Sequence, residues 1–235
     1  MGYTHRLDLF DATTATVALP RVARDLRSLL AAGSFAFPLA GPRGRGEPEI
    51  DDHAIAFNGL APKGDYESLL VTPDESRVFV KTGSARATRR PYDLAVTVTF
   101  ALFRWHAGEH AGVASDGSLA DWAPATQLIV RELGYPVDPY FVLRREVVQY
   151  RVAGVDLWVE KHDRTEEPRL ERVLELLDLV HYPNYAPPGT PAAALALQLP
   201  RPLAPGAISR VHAPGTLPPD ATPLSDTLTG VYVRP

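Results

Sequence analysis

The sequence predicts an α+β protein: mostly antiparallel sheet packed on a buried central helix at about residues 91–107, with two or three further helices and a Pro-rich C-terminal extension. Three observations predict it. Short β-rich runs alternate with turn-formers between residues 54 and 81. The segment from Pro91 to His106 is apolar nearly all round at helical spacing, the pattern of a helix covered on every side. Apolar residues make up 45% of the 235 and charged residues 22%, enough to build a core and too apolar for wholesale disorder.

The elements follow in order. Residues 4–10 alternate, Arg6 and Asp8 against Leu7 and Leu9, which is the period of a half-buried strand. Pro20 suits the first turn of a helix whose Val22, Leu26, Leu29 and Leu30 share a face and whose stop is Gly33. The run from Gly41 to Pro48, with Arg43 and Arg45 between glycines, reads as a mobile loop. Residues 54–57, 68–71 and 77–81 read as strands of an antiparallel meander, parted by Asn58-Gly59, Lys63-Gly64-Asp65 and Pro73-Asp74.

Pro91 and Asp93 open the central helix, one with its fixed φ and one with a charge that meets the dipole. Asp121 caps the next, which carries Trp122, Thr126, Ile129 and Leu133 at helical spacing and stops at Gly134. Residues 140–151 and 155–161 flank Ala153-Gly154 as a hairpin. A further helix spans about 166–180, with Leu170, Val173, Leu174 and Leu177 inward. Residues 1–182 therefore form the compact domain. Residues 183–235, which hold many of the 23 prolines, form an extended tail that packs on the domain or a partner, or pairs as edge strands.

A net charge of −4 and a pI near 6.0 argue against a protein that binds polyanions over its whole surface. With no cysteine there is no disulfide, thiol nucleophile or thiolate metal site. The absence of an 18-residue uncharged apolar run predicts a cytoplasmic protein without a membrane span, and no cofactor motif is present.

Three constellations carry candidate chemistry. A basic stretch runs from Lys81 through Arg86, Arg89 and Arg90 into the central helix, and small residues, hydroxyls and cations before a helix N-terminus suit an anion or nucleic acid. Arg43 and Arg45 extend that set. Its other reading is a solvated turn whose arginines meet acidic neighbours, and the Walker order is absent. Asp93, Asp116 and Asp121 form a carboxylate cluster if the two helix starts lie side by side, as in Mg²⁺ or acid–base sites; the alternative is that they cap helices and shape turns. His106, Glu109 and His110 match the H-x-x-E-H spacing of zinc peptidases, but Gly108 between them predicts a helix end that parts the histidines. No G-x-S-x-G nucleophile elbow occurs.

Lys81-Thr82, Arg90-Pro91-Tyr92-Asp93, Ser115-Asp116-Gly117 and Asp121-Trp122 resemble a pattern found in uncharacterised bacterial and phage-associated proteins. The resemblance brings no activity. It implies that the central helix, the Ser-Asp-Gly turn and the Asp-Trp helix start form one structural unit, and that the protein is an accessory of mobile elements.

These readings lead to three functional expectations. The first is a non-catalytic interaction or assembly protein with a protein partner or as a homo-oligomer. The second is a binder of nucleotide, nucleic acid or another phosphate ligand through the basic loop. The third is a metal-dependent hydrolase.

Overall fold

A computed structural model describes residues 2–85, 88–161, 170–182, 184, 186–199, 208–211, 217–218, 220–224 and 230–234. The α+β class is as expected, with three antiparallel sheets and six helices among these residues. The chain divides into two compact units, Met1–Gly117 with Asp121–Leu143, and Ser118–Ala120 with Arg144–Pro235. The described residues beyond 182 fall in the same unit as the described ones of 144–182.

The first unit contains β1 (Tyr3–Leu9), α1 (Ala12–Ala31), β2 (Leu39–Ala40), β3 (Glu49–Ile50), β4 (Ile55–Gly59), β5 (Leu69–Val71), β6 (Arg77–Gly83), α2 (Asp93–Ala107), β7 (Ala111–Ser115), most of α3 (Leu119–Leu133) and α4 (Pro139–Leu143). β1 is the centre of a three-stranded sheet in the order β6-β1-β7. Its alternation sends Tyr3, His5, Leu7 and Leu9 inward, all nearly solvent-free, while Arg6 lies opposite Phe79 and Ala114 on the other face. A second sheet is organised by β4, which pairs with β2, β3 and β5.

The central helix is as apolar in its surroundings as in its sequence. Val96, Val98, Phe100, Leu102 and Phe103 are fully buried, each contributing on the order of 1.5–3 kcal/mol. α1 packs against α2.

Four local expectations are corrected. α1 starts at Ala12, where Asp11 Oδ1 accepts a 2.6 Å bond from Thr14 N, so Pro20 lies inside the helix. Ala15, Ala18 and Leu19 continue the buried stripe backwards, and that burial outweighs the missing proline N–H. β6 leaves the expected meander to pair with β1, because its alternate Val78 and Val80 cover the same core as Leu7. Residues 140–143 are helical, since Asp138 accepts from Phe141 N at 2.7 Å and Pro139 suits a first helical position. The Arg-Gly segment is built in: Gly41 N bonds Gly46 O, and Gly44 is buried against Ala61 and Asp65.

The second unit is a five-stranded sheet formed by β8 (Glu146–Val152), β9 (Val155–Lys161), β10 (Ile208–Val211), β11 (Thr222–Pro223) and β12 (Val231–Val233), with α5 (Leu170–Leu179) and α6 (Pro191–Gln198). The order is β10-β8-β9-β12-β11. The predicted hairpin is there: Ala153 and Gly154 both take positive φ, 47° and 87°, and Val152 faces Val155. Of the late strands, β10 and Pro-bearing β11 occupy edges, whereas β12 is inserted between β9 and β11. Val173, Leu177, Leu195 and Leu199 cover the sheet residues Val152, Leu157 and Val231 in one core. The expected start of the fifth helix, 166–169, lies outside the described residues.

Candidate functional site

The inward register of β1 puts a histidine where the pattern calls for an apolar residue, and a buried polar group must find partners. His5 is wholly buried, with Nε2 2.7 Å from Asp93 Oδ1 at the start of α2 and Nδ1 2.8 Å from Ser115 Oγ at the end of β7. Thr82, on β6, donates its hydroxyl to the same Asp93 oxygen. Ser115 Oγ also accepts from Gly117 N at 2.8 Å. The pattern is satisfied when Nε2 carries the proton toward Asp93 and the Ser115 hydroxyl donates to Nδ1. The imidazole is fixed further by the rings of Tyr3 and Trp122, which meet it edge-on at 5.0 and 5.5 Å.

Hydroxyl, imidazole and carboxylate follow one another here as in a nucleophilic relay. The imidazole is sealed between two aromatic rings, however, and the serine oxygen is tied into the Ser115-Asp116-Gly117 turn. The arrangement works as a pin, joining β1, β6, β7 and α2 through one histidine.

Beside the pin the surface opens into a cleft of about 230 Å³. Arg89, Arg90, Asp93 and Asp121 line it, with Pro91, Leu94 and Pro124 as apolar wall. Arg89 Nη1 donates to Asp121 Oδ1 at 2.7 Å, and its Nε lies 4.0 Å from Asp93 Oδ2. The Tyr3 phenol lies near the same three side chains: burial first, then the carboxylates of Asp121 and Asp93, push its pKa upward, while Arg89 opposes them. Arg89 also reaches the Tyr3 hydroxyl, and Arg90 donates through Nη1 to Lys63 O at 3.1 Å.

The predicted sets are thus partly assembled. Asp93 and Asp121 do come together, around a guanidinium, while Asp116 bonds the backbone N of Thr4 at 2.9 Å. Arg89 and Arg90 share the cleft; Lys81 faces Glu67 at 3.8 Å, and Arg43 and Arg45 belong to the segment packed against Ala61. Arg86 lies outside the described residues. The H-x-x-E-H residues diverge: α2 stops before Gly108, which has φ 57° and ψ −130°. His106 reaches Asp25 at 2.7 Å, Glu109 reaches Arg104 at 2.8 Å, and His110 lies 3.3 Å from Asp11. Among the described residues no group of three His, Asp or Glu side chains is placed to hold a metal ion, and no helix is long and apolar enough to cross a membrane.

The sequence assigned no site role to His5, Tyr3 or Thr82, and a lone histidine such as His5 reads as a surface or satisfied core residue. The signal for His5 was its phase, two residues before Leu7 and four before Leu9 on a strand with one buried face.

The second unit has its own buried ion pair. Glu160 accepts from Arg145 Nη1 at 2.9 Å, from Leu119 N at 2.7 Å and from the Tyr232 hydroxyl. The Ala120 N–H donates to Tyr232 Oη at 3.2 Å, and Gly230 lies so close to Glu160 that a Cβ there would be 3.1 Å from its own.

Compared with known proteins, the chain matches no family model, no curated protein and no solved structure.

Proposed function

We propose that this chain is a non-catalytic interaction protein that docks a protein partner on the outer face of the β6-β1-β7 sheet. The observation that supports this reading is Phe79, 57% exposed between Val78 and Val80, which are buried. Phe10 is equally open, and its ring lies over Gly112 beside Asp8, on the same face. Two phenylalanines held in water on one rigid sheet face are an unusual cost for a surface that meets only solvent. Each would contribute on the order of 1.5–3 kcal/mol when covered. An accessory role in a mobile element is the setting implied by the resemblance of the central motifs.

Native mass spectrometry and light scattering on protein isolated from its own cells test the reading. A complex is expected that Phe79→Asp or Phe10→Asp disperses without lowering thermal stability. A strict monomer, unchanged in its own lysate, refutes it.

A second reading, a binder of phosphate or another anion, is supported by Arg89 and Arg90 lining one cleft at the start of α2. Its affinity must weaken steeply with salt, and no measurable binding at low salt ends it.

A further inference from the structure

We infer that the partner segment docked on the outer face of the β6-β1-β7 sheet is extended and carries an acidic side chain between two apolar ones; this rests on the docking reading and names the partner's chemistry. Between the two exposed phenylalanines lies an unequal ion cluster. Asp8 Oδ1 accepts from Arg77 Nε at 2.6 Å, and its Oδ2 lies 2.9 Å from Arg6 Nε. Two guanidiniums thus share one carboxylate, and their Nη groups have no partner among the described residues. Exposure is divided in the same sense: 42% of the Arg6 side chain and 59% of that of Arg77 are open to solvent, against 12% for Asp8. A chain of net charge −4 therefore presents a local positive surplus at this point. Arginines already held by one nitrogen lose little rotamer freedom on binding, and the planar fork left open matches a carboxylate.

The spacing of the rings sets what flanks that acidic side chain. Phe79 stands opposite Arg6, and the Phe10 ring lies over Gly112, which stands opposite Asp8. The rings are thus two strands apart across the sheet and two residues apart along it, roughly 12 Å in all. In an extended chain residues i, i+2 and i+4 point to one side, and the outer pair are about 13 Å apart. Such a segment, laid diagonally over β1, puts apolar side chains at i and i+4 on Phe79 and Phe10 and a carboxylate at i+2 on Arg6 and Arg77. Other occupants fit less well. A second copy docked through the same face brings the same surplus of cations against it. A nucleic-acid strand needs a track of positive charge, but Lys81 is met by Glu67 at 3.8 Å and Asp116, bonded to Thr4 N, follows β7.

Amide chemical shifts of the intact, isotope-labelled chain at low salt test the inference. The probes are acetyl-Gly-Leu-Ser-Glu-Ser-Leu-Gly-amide, the same peptide with Gln for Glu, and oligothymidylate. The Glu peptide should shift the amides of Arg6, Phe79 and Gly112 and bind about fivefold more tightly than the Gln peptide, the effect of one exposed ion pair. Phe79→Ser should weaken it more than about tenfold, the loss of one covered aromatic ring. Arg77→Gln should reduce the preference for Glu over Gln, which a loss of fold or of apolar contact alone would not do. Equal binding of the two peptides overturns the inference and leaves the docking reading standing. So does self-association, seen by light scattering without peptide, that Phe79→Asp disperses. Tighter binding of oligothymidylate to the same amides overturns both. Binding of none of the probes overturns the inference, and the docking reading is then decided by the native complex from the protein's own cells.

Discussion

Replacing Asp93 with alanine should cost the first unit about 4 kcal/mol. The carboxylate is 6% exposed and accepts from His5 Nε2 and from the Thr82 hydroxyl, so its removal leaves two buried donors unmatched. Each unmatched buried donor costs about 1–3 kcal/mol, and Arg89 loses one of its two counter-charges as well. Thr82→Val removes a single donor while Asp93 keeps His5, and should cost about 1–2 kcal/mol. Asp93→Asn retains an acceptor oxygen and should fall between. Denaturant unfolding followed by fluorescence reads the effect, with Trp122 against His5 reporting the first unit and Trp158 on β9 the second. Because the chain forms two compact units, the transitions are to be fitted separately. For a chain of this size about 4 kcal/mol corresponds to roughly 8–16 °C in the first unit's Tm. A loss below about 1 kcal/mol for Asp93→Ala, or an equal loss for Thr82→Val, would refute the pin as the fixing point of β1, β6, β7 and α2.

Other substitutions probe the surroundings. Gly117→Ala places a Cβ 2.3 Å from the Tyr3 hydroxyl and should destabilise by about 1–3 kcal/mol; Tyr3→Phe, nearly neutral alone, should recover much of that loss in a thermal-denaturation cycle, and no recovery would mean that the clash is with Ser115 or Asp121. Glu160→Ala removes the carboxylate that the buried Arg145 faces and should cost about 3–5 kcal/mol in the second unit, against much less for Glu160→Gln, by chemical denaturation. Burial, and then the Glu160 carboxylate, raise the Tyr232 pKa above its ordinary value of about 10. The stability this represents is complete below the unfolded-state pKa and is lost as pH rises through the folded one, so absorbance at alkaline pH should show Tyr232 ionising only with unfolding. Asp11 moves the other way, its pKa lowered by the cap bonds from Thr14. Its contribution is present above the unfolded carboxylate range and lost as pH falls through the folded value; protection of the Thr14 amide, relative to its intrinsic exchange rate, should fall in acid for the wild type and not for Asp11→Asn.

The parts of the fold governed by local chemistry could be read in advance. The apolar surface of residues 91–107, the Ala153-Gly154 turn and the helix break at Gly108 are each fixed by the residues that form them. What could not be read depends on distant partners. Nothing local tells β6 to desert β5 for β1, or tells β12 to lie between β9 and β11, since strand pairing is decided by which buried faces must share a core. The start of α1 was obscured by giving Pro20 its commonest role, when Asp11 three residues before Thr14 was the better signal. In the candidate site, Arg89, Arg90, Asp93 and Asp121 were marked by residue type. The histidine behind them was not, because its significance lies in its phase along a strand. Members of the two marked sets also meet, because Arg89 and Asp121, separated by the whole of α2 and β7, lie 2.7 Å apart.

The position of β12 affects the order in which the second unit can be completed. β9 has β8 as a neighbour as soon as the hairpin is synthesised, but its other edge belongs to a strand made only after α5, α6, β10 and β11. Until residues 231–233 exist, that edge offers unpaired N–H and C=O groups and one side of Glu160 lacks the Tyr232 hydroxyl. Translation that ends ahead of β12 would therefore release a molecule whose second unit presents a strand edge open to any extended peptide, the kind of species that chaperones and proteases remove.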